Sequence, residues 1–262
     1  LNDGIATPFV TLFLLVVAAS AFGRGIDQSE DQTKARLLWE QAIAAKGGRD
    51  QLHTVRSLVM SYEETVRNFL GIVVHRGHVE RLYVFPDKSW EWDDGLPPPF
   101  RLTIRSLDIE HDVRCYFYEG ASAPTCKRAT DSSEAEESLT QIQYLYLMET
   151  KWVKPIPYDV SVERIGFKKV DVVHTRFSDK RVSYWLDRKT HLPMRVALFY
   201  GTVDKPRLTI DLSEYANVAG IQMPQKQKRG RISFQINPDY DIQIFSRLSV
   251  PAGPKAWRRT KA

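Results

Sequence analysis

Residues 131–148 read Asp-Ser-Ser-Glu-Ala-Glu-Glu-Ser-Leu-Thr-Gln-Ile-Gln-Tyr-Leu-Tyr-Leu-Met, and they interrupt a long series of strand-like segments. Asp131, Ser132 or Ser133 offers a capping oxygen, and Ser133 with Glu136 has capping-box spacing. Ala135, Leu139, Ile142 and Tyr146 fall on one helical stripe. The last turns, Tyr144-Leu145-Tyr146-Leu147-Met148, are apolar nearly all round, which predicts burial on several sides. A helix at this place divides the strands into an earlier and a later set.

Working outward, a first helix is predicted from Ala35, Leu38, Trp39, Ala42 and Ile43, one apolar stripe facing away from Lys34, Arg36, Glu40 and Gln41. Gly47-Gly48 stops it as a C-terminal glycine cap does. Alternating segments then predict strands at 57–67, 72–85, 89–92, 100–110 and 113–118, with turn chemistry at Pro86-Asp87 and at 93–99. After the central helix, strands are expected at 159–164, 170–177, 181–187, 194–200, 207–215, 228–236 and 242–248. The turns between them fall at 187–193, at 201–206 and at Val218-Ala219-Gly220. This order places two helices against a single long antiparallel sheet, and a sheet beyond about ten strands must curl or split. The expected class is mainly β (α+β): a curved antiparallel half-barrel with the N-terminal and central helices on its concave face, enclosing an apolar space.

The 262 residues, 43% hydrophobic and 26% charged, are ordinary globular values. The net charge of +5 comes largely from Lys226, Lys228, Arg229 and Arg231 and from a tail bearing Lys255, Arg258, Arg259 and Lys261. Such an excess favours contact with an anionic membrane surface without identifying a partner. Residues 9–19 are uncharged and largely apolar, and they lead into Ala19-Ser20-Ala21, which has small residues where a signal peptidase reads. Eleven residues are too few to span a bilayer, which takes about 20. The segment before them holds Asp3 and no basic residue, and the chain begins at Leu1 rather than Met. The expectation is a cleaved signal peptide at 1–21, one domain at 22–250 and a basic tail without periodicity at 251–262. The processed protein would be periplasmic or secreted. No cysteine follows the apolar run, so neither a lipid anchor nor an integral membrane protein is expected after processing. In such a compartment Cys115 and Cys126 read first as a disulfide across a hairpin, the alternative being two unrelated buried thiols.

Chemistry-bearing motifs are sparse. His75 and His78 lie three apart in a predicted strand and point to opposite faces, which makes shared metal ligation awkward. Asp93-Asp94-Gly95 lacks the remaining ligands of a calcium loop. No nucleophile elbow, phosphate-cradling glycine loop or zinc-protease helix is present, so no catalytic residue, metal or cofactor is assigned. The basic run at 226–231 alternates as a solvated strand face does, and export argues against nucleic acid. The aromatic residues are more suggestive: Tyr83 and Phe85 share one strand face, and Trp90 and Trp92 share another. With Tyr144, Leu145 and Met148 of the central helix, these four are the candidate cavity lining.

Two stretches carry a family resemblance. Gly77-His-Val-Glu-Arg-Leu-Tyr-Val-Phe-Pro-Asp-Lys-Ser-Trp-Glu-Trp92 has alternating apolar residues, a proline and an aromatic-x-aromatic strand. Tyr184-Trp-Leu-Asp-Arg-Lys-Thr-His-Leu-Pro-Met-Arg-Val196 is a strand ending in Asp, a turn ending in Leu-Pro and a second strand, with Gly220-Ile-Gln-Met-Pro224 following. In these features the chain resembles the outer-membrane lipoprotein carriers of the LolA/LolB-like lipoprotein-sorting group. It departs in having Glu110-His111-Asp112 where an Asp-Gly turn is common, and in giving the family's cavity arginine no matching motif, although Arg81 lies on a predicted strand. The resemblance implies a helix-lidded half-barrel that binds lipoprotein acyl chains or lipid, as a carrier or sensor and not as an enzyme. The alternative from the residues alone is a structural or interaction module of the envelope with a filled core; a hydrolase ranks third.

Overall fold

The computed structural model describes residues 30–67, 69–94, 100–108, 111–118, 125–128, 133–201, 204–227, 230–245 and 258. The expected signal peptide lies outside these residues, as does the tail apart from Arg258, which forms an isolated bridge with Tyr240. Helix α1 (Glu30–Lys46) carries Glu30 and Asp31 in its first turn, where carboxylates complement the helix dipole. It ends at Gly47, where a Cβ would lie 2.4 Å from the Gly220 carbonyl oxygen, so only glycine lets the helix end meet the turn at Ala219-Gly220. A short α2 (Arg49–His53) follows.

Six strands come next: β1 (Ser57–Arg67), β2 (Val73–Val84), β3 (Lys88–Asp93), β4 (Phe100–Asp108), β5 (His111–Tyr118) and β6 (Thr125–Arg128). Helix α3 (Ser133–Ile142) runs into a π-helical turn, Gln143–Leu147. Seven strands complete the fold: β7 (Ile156–Ile165), β8 (Lys168–Phe177), β9 (Lys180–Asp187), β10 (Pro193–Tyr200), β11 (Leu208–Val218), β12 (Ile221–Gln227) and β13 (Gly230–Ile236). A 3₁₀ turn spans Ile242–Phe245. Among the described residues, no helix is long and apolar enough to cross a membrane.

All 13 strands form one antiparallel sheet in the order β6-β5-β4-β3-β2-β1-β13-β12-β11-β10-β9-β8-β7. The chain therefore starts at the centre and walks outward to one edge. It crosses by α3 to the other edge and walks back until β13 pairs with β1, from Leu58↔Ile236 to Tyr62↔Ile232. The sheet is curved and open, with α1 and the α3 segment on its concave face.

One link is weak. β12 and β13 pair only at Lys226↔Arg231 and Gln227↔Gly230, whereas β12 pairs with β11 from Leu212↔Gln227 to Val218↔Ile221. Continuing the β12–β13 register would set Pro224 across from Ser233. Proline has no N–H to donate to a ladder, so the sheet opens at this seam.

The structure departs from the sequence expectation in four places. β6 is too short to read by alternation, and Pro224 hides β12 because proline argues against a central strand. The strand expected at 242–248 is a 3₁₀ turn over its described residues, since it packs on the sheet instead of extending it. The central helix does not stay α-helical to Met148: it widens at Gln143, and Met148 takes φ 69° and ψ −51°.

Candidate functional site

The apolar face of α1 and the π turn meet the concave side of the sheet in one large cluster. Trp39 packs edge-on to Tyr184 at 5.1 Å between ring centroids, and Tyr146 meets Phe234 at 5.2 Å. Tyr144 sits edge-on to Phe177 at 5.5 Å, and Phe85 lies 5.9 Å from Trp152. All five residues of the π turn are buried, as their all-round apolar pattern predicts.

Of the seven candidate lining residues, Tyr83, Phe85, Tyr144, Leu145 and Met148 come together in this cluster. Trp90 and Trp92 do not join them. They lie on the other face of the sheet with Val59, Leu82 and Ile244, under Tyr240 and Phe245. The period of two explains the division, because Leu82↔Trp90 and Glu80↔Trp92 are opposite pairs and even-numbered positions of β2 point outward.

The polar groups of the concave side are few and specific. Arg81 pairs with Glu91 at 3.0 Å beside Tyr62 and Tyr83, so the arginine noted from sequence does reach this face. Burial pushes the Tyr83 hydroxyl up to about 12 against the opposing charge of Arg81. The Tyr146 hydroxyl accepts from Gln227. The Tyr144 hydroxyl is buried with no hydrogen-bond partner among the described residues, and burial raises its pKa.

A second polar cluster holds the cover in place, and sequence reasoning missed it. Arg49 donates to both oxygens of Glu149, at 2.7 and 3.1 Å, and to both oxygens of Glu40 at 2.9 Å. His53 Nε2 lies 3.1 Å from the same Glu149 carboxylate. Burial pushes Glu149 up, but the bonds and charge of Arg49, with His53, outweigh it and leave the carboxyl below its usual value. Glu149 follows Met148, whose positive φ is rare for a residue with a side chain. Strain of this kind costs about 1–3 kcal/mol and persists only where neighbours impose it.

Lys46 is the other anchor: it is buried, and it donates to the Gln222 carbonyl and to Met223 Sδ at 3.8 Å, with the Tyr215 ring centroid at 5.2 Å. Its burial lowers the ammonium pKa from 10.5 to about 7. Lys46 continues the stripe of α1, three residues after Ile43 and four after Ala42, so the period points it inward although its charge reads as solvated.

A cavity of about 330 Å³ opens elsewhere, at the seam, lined by Tyr62, Glu63, His78, Gln225, Arg231 and Ile232 among others. His78 there lies 3.0 Å from the Glu63 carboxylate. Among the described residues no cluster of metal-ligating side chains occurs. The nearest approach to a catalytic pattern is His174, 3.3 Å from Ser161 Oγ and 2.8 Å from Ser183 Oγ. Burial lowers its pKa, which favours the neutral imidazole. The group lies on the outer face of β7–β9, away from the concave cluster.

Neither a protein-family model nor a curated protein matches the chain. Solved structures do. A DUF1329 family protein from Desulfovibrio piger is 12% identical with a TM-score of 0.46, covering 80% of this chain and 96% of that one. An outer membrane lipoprotein-sorting protein domain from Vibrio parahaemolyticus is 12% identical with a TM-score of 0.43, covering 82% and 97%. A LolA superfamily protein from Nitrosomonas europaea is 15% identical with a TM-score of 0.48, and the match covers 81% of this chain and 97% of that one.

Proposed function

We propose that the chain binds an apolar, lipid-like ligand, a lipoprotein acyl chain or a lipid, on the concave face of the sheet, and acts as a carrier or sensor without catalysis. One observation carries this reading. Beside α1, the apolar concave face is covered by a segment in a π turn that ends on the strained Met148. π turns and positive-φ residues of this kind concentrate at functional sites. Lifting that segment, which carries Tyr144 and Leu145 on its underside, exposes the sheet residues Tyr83 and Phe85 and the apolar face around them. The unpartnered Tyr144 hydroxyl is a donor that a ligand carbonyl satisfies. Met148, flexible and polarisable, suits contact with an irregular apolar guest.

Export to a periplasmic or extracellular compartment belongs to the same reading, supported by the apolar run before Ala19-Ser20-Ala21. So does a Cys115–Cys126 disulfide, supported by the direct Cys115↔Cys126 pairing of β5 with β6. A bridged chain is lighter by two hydrogens than the reduced one in intact mass spectrometry.

The filled-core reading keeps one observation in its favour: the aromatic contacts of the π turn occupy the concave space in the structure described. Mass spectrometry of lipid extracted from the purified protein, with uptake of a fluorescent fatty acid, decides between the two. Bound lipid or saturable uptake, reduced by Leu145→Arg, supports the carrier. If neither is found, the protein is a filled module.

A further inference from the structure

Among the described residues, four of the nine exposed large apolar side chains gather at one hairpin, while Phe167 and the others stand apart from one another or in other elements. Phe69 is 94% exposed, Leu70 66%, Ile72 58% and Val74 56%, all at or beside the β1–β2 turn. Burying such side chains is the default for a folded chain, and a local group of four in water marks a contact surface. Strand directions show what stands next to it. β1 runs toward this turn, and β13 is antiparallel to β1 and follows β12, so the β12–β13 hairpin projects from the same end of the sheet. The two hairpins are neighbours: a Cβ on Gly230 would lie 3.8 Å from the Glu63 carbonyl oxygen.

The second hairpin is basic. Lys226 and Arg231 are opposite partners with side chains 53% and 83% exposed, and the chain between the strands adds Lys228 and Arg229. Arg76 is exposed two residues beyond Val74, on the same strand face. Glu214, which pairs with Lys226 at 2.9 Å and Arg231 at 3.5 Å, and Glu63 are the nearby carboxylates. Cations are in excess.

We propose that this end of the sheet docks on an anionic lipid bilayer, with the β1–β2 tip entering the interfacial layer and the β12–β13 hairpin resting on headgroup phosphates. A protein partner fits less well, because four side chains on one tip fall far short of the roughly 1,200 Å² that a stable protein interface buries. Shallow insertion of a few apolar groups beside basic residues is instead the pattern of interfacial membrane binding. Docking goes beyond cargo binding and is read separately, since none of these residues belongs to the concave cluster.

The test is sedimentation of the purified protein with vesicles. Phosphatidylcholine–phosphatidylglycerol vesicles should carry the protein down, and phosphatidylcholine vesicles much less. Phe69→Ser/Leu70→Ser/Ile72→Ser should weaken partition by about 100-fold, with thermal melting and fatty-acid uptake unchanged. Lys226→Gln/Arg231→Gln should remove most of the preference for anionic vesicles, as should raising salt well above 0.1 M, where the screening length is about 10 Å. Phe69→Trp should give a blue-shifted tryptophan spectrum on adding vesicles. Wild-type protein remaining in the supernatant, or a triple variant that sediments like the wild type, overturns docking. Self-association abolished by the triple variant, without vesicle binding, overturns it in favour of a contact between copies. Failure of fatty-acid uptake with vesicle binding intact sinks the cargo reading alone.

Discussion

The two faces of the sheet bury aromatic residues in different ways. On the concave face the cover is helical and is held by the buried Lys46 and by the Arg49–Glu149 pair. On the convex face Trp90 and Trp92 are covered by a 3₁₀ turn and the residues around Tyr240, and the buried Glu80, opposite Trp92, accepts from Ser61. Groups such as a buried lysine or a buried carboxylate lower stability unless something compensates, and they sit where the cover must be positioned. The outer cluster is the smaller of the two, five buried residues at a four-residue 3₁₀ turn among the described residues.

Four measurements break or sharpen that contrast. Trp39→Ala, which opens the concave cluster at its centre, should cost about 3–5 kcal/mol in chemical denaturation, and Trp90→Ala about half as much. Equal losses would erase the distinction between the faces.

The buried Lys46 should make stability depend on pH in an alkaline window. Its folded pKa is about 7 against the usual 10.5, so between these values the unfolded chain holds a proton that the folded one does not. Stability therefore rises with pH from about 7 to 10.5 and is lowest below the folded value. Between pH 7 and 9 the gain should be about 2–3 kcal/mol. Lys46→Met should abolish it and stabilise the protein at neutral pH; a wild-type profile flat across this range contradicts the assignment.

Arg49→Ala should cost about 2 kcal/mol, less than a fully buried pair because Arg49 is half in solvent. The sign of the acid response is informative too. Glu149 is held below its usual pKa, so its contribution is present above the unfolded carboxylate value and is lost as pH falls through the lower folded value. Without Arg49 burial is opposed by His53 and Trp39 alone, and acid should destabilise the variant less than the wild type. Smallest of the four, Ile244→Ala should cost about 1–2 kcal/mol and speed amide exchange around Tyr240 while leaving the concave cluster protected.

Much of the fold was legible in local pattern. β1 spans the residues its alternation predicts, α1 stops at its glycine pair, and α3 starts at the capping serine. Five of the seven candidate lining residues also share one cluster, because the all-apolar turn and the odd-numbered face of β2 both had to be buried. The anchors were not legible. Lys46, Arg49 and Glu149 look like solvated residues in sequence, since nothing local says that a charge will be enclosed by parts of the chain about 100 or more residues away.

What the sequence determined by itself was most of the elements and the two apolar periods, for both depend on residues within a turn or a strand of one another. The tertiary structure alone decided which face each aromatic strand presents, because that follows from pairings such as Leu82↔Trp90 and from the closure of β13 on β1. It also decided the seam at Pro224, which is harmless in an isolated strand and matters only where a second strand asks for its missing N–H. Exposure of Phe69, Leu70 and Ile72 belongs to the same category: an apolar residue in sequence reads as core, and only the finished sheet leaves that tip in water.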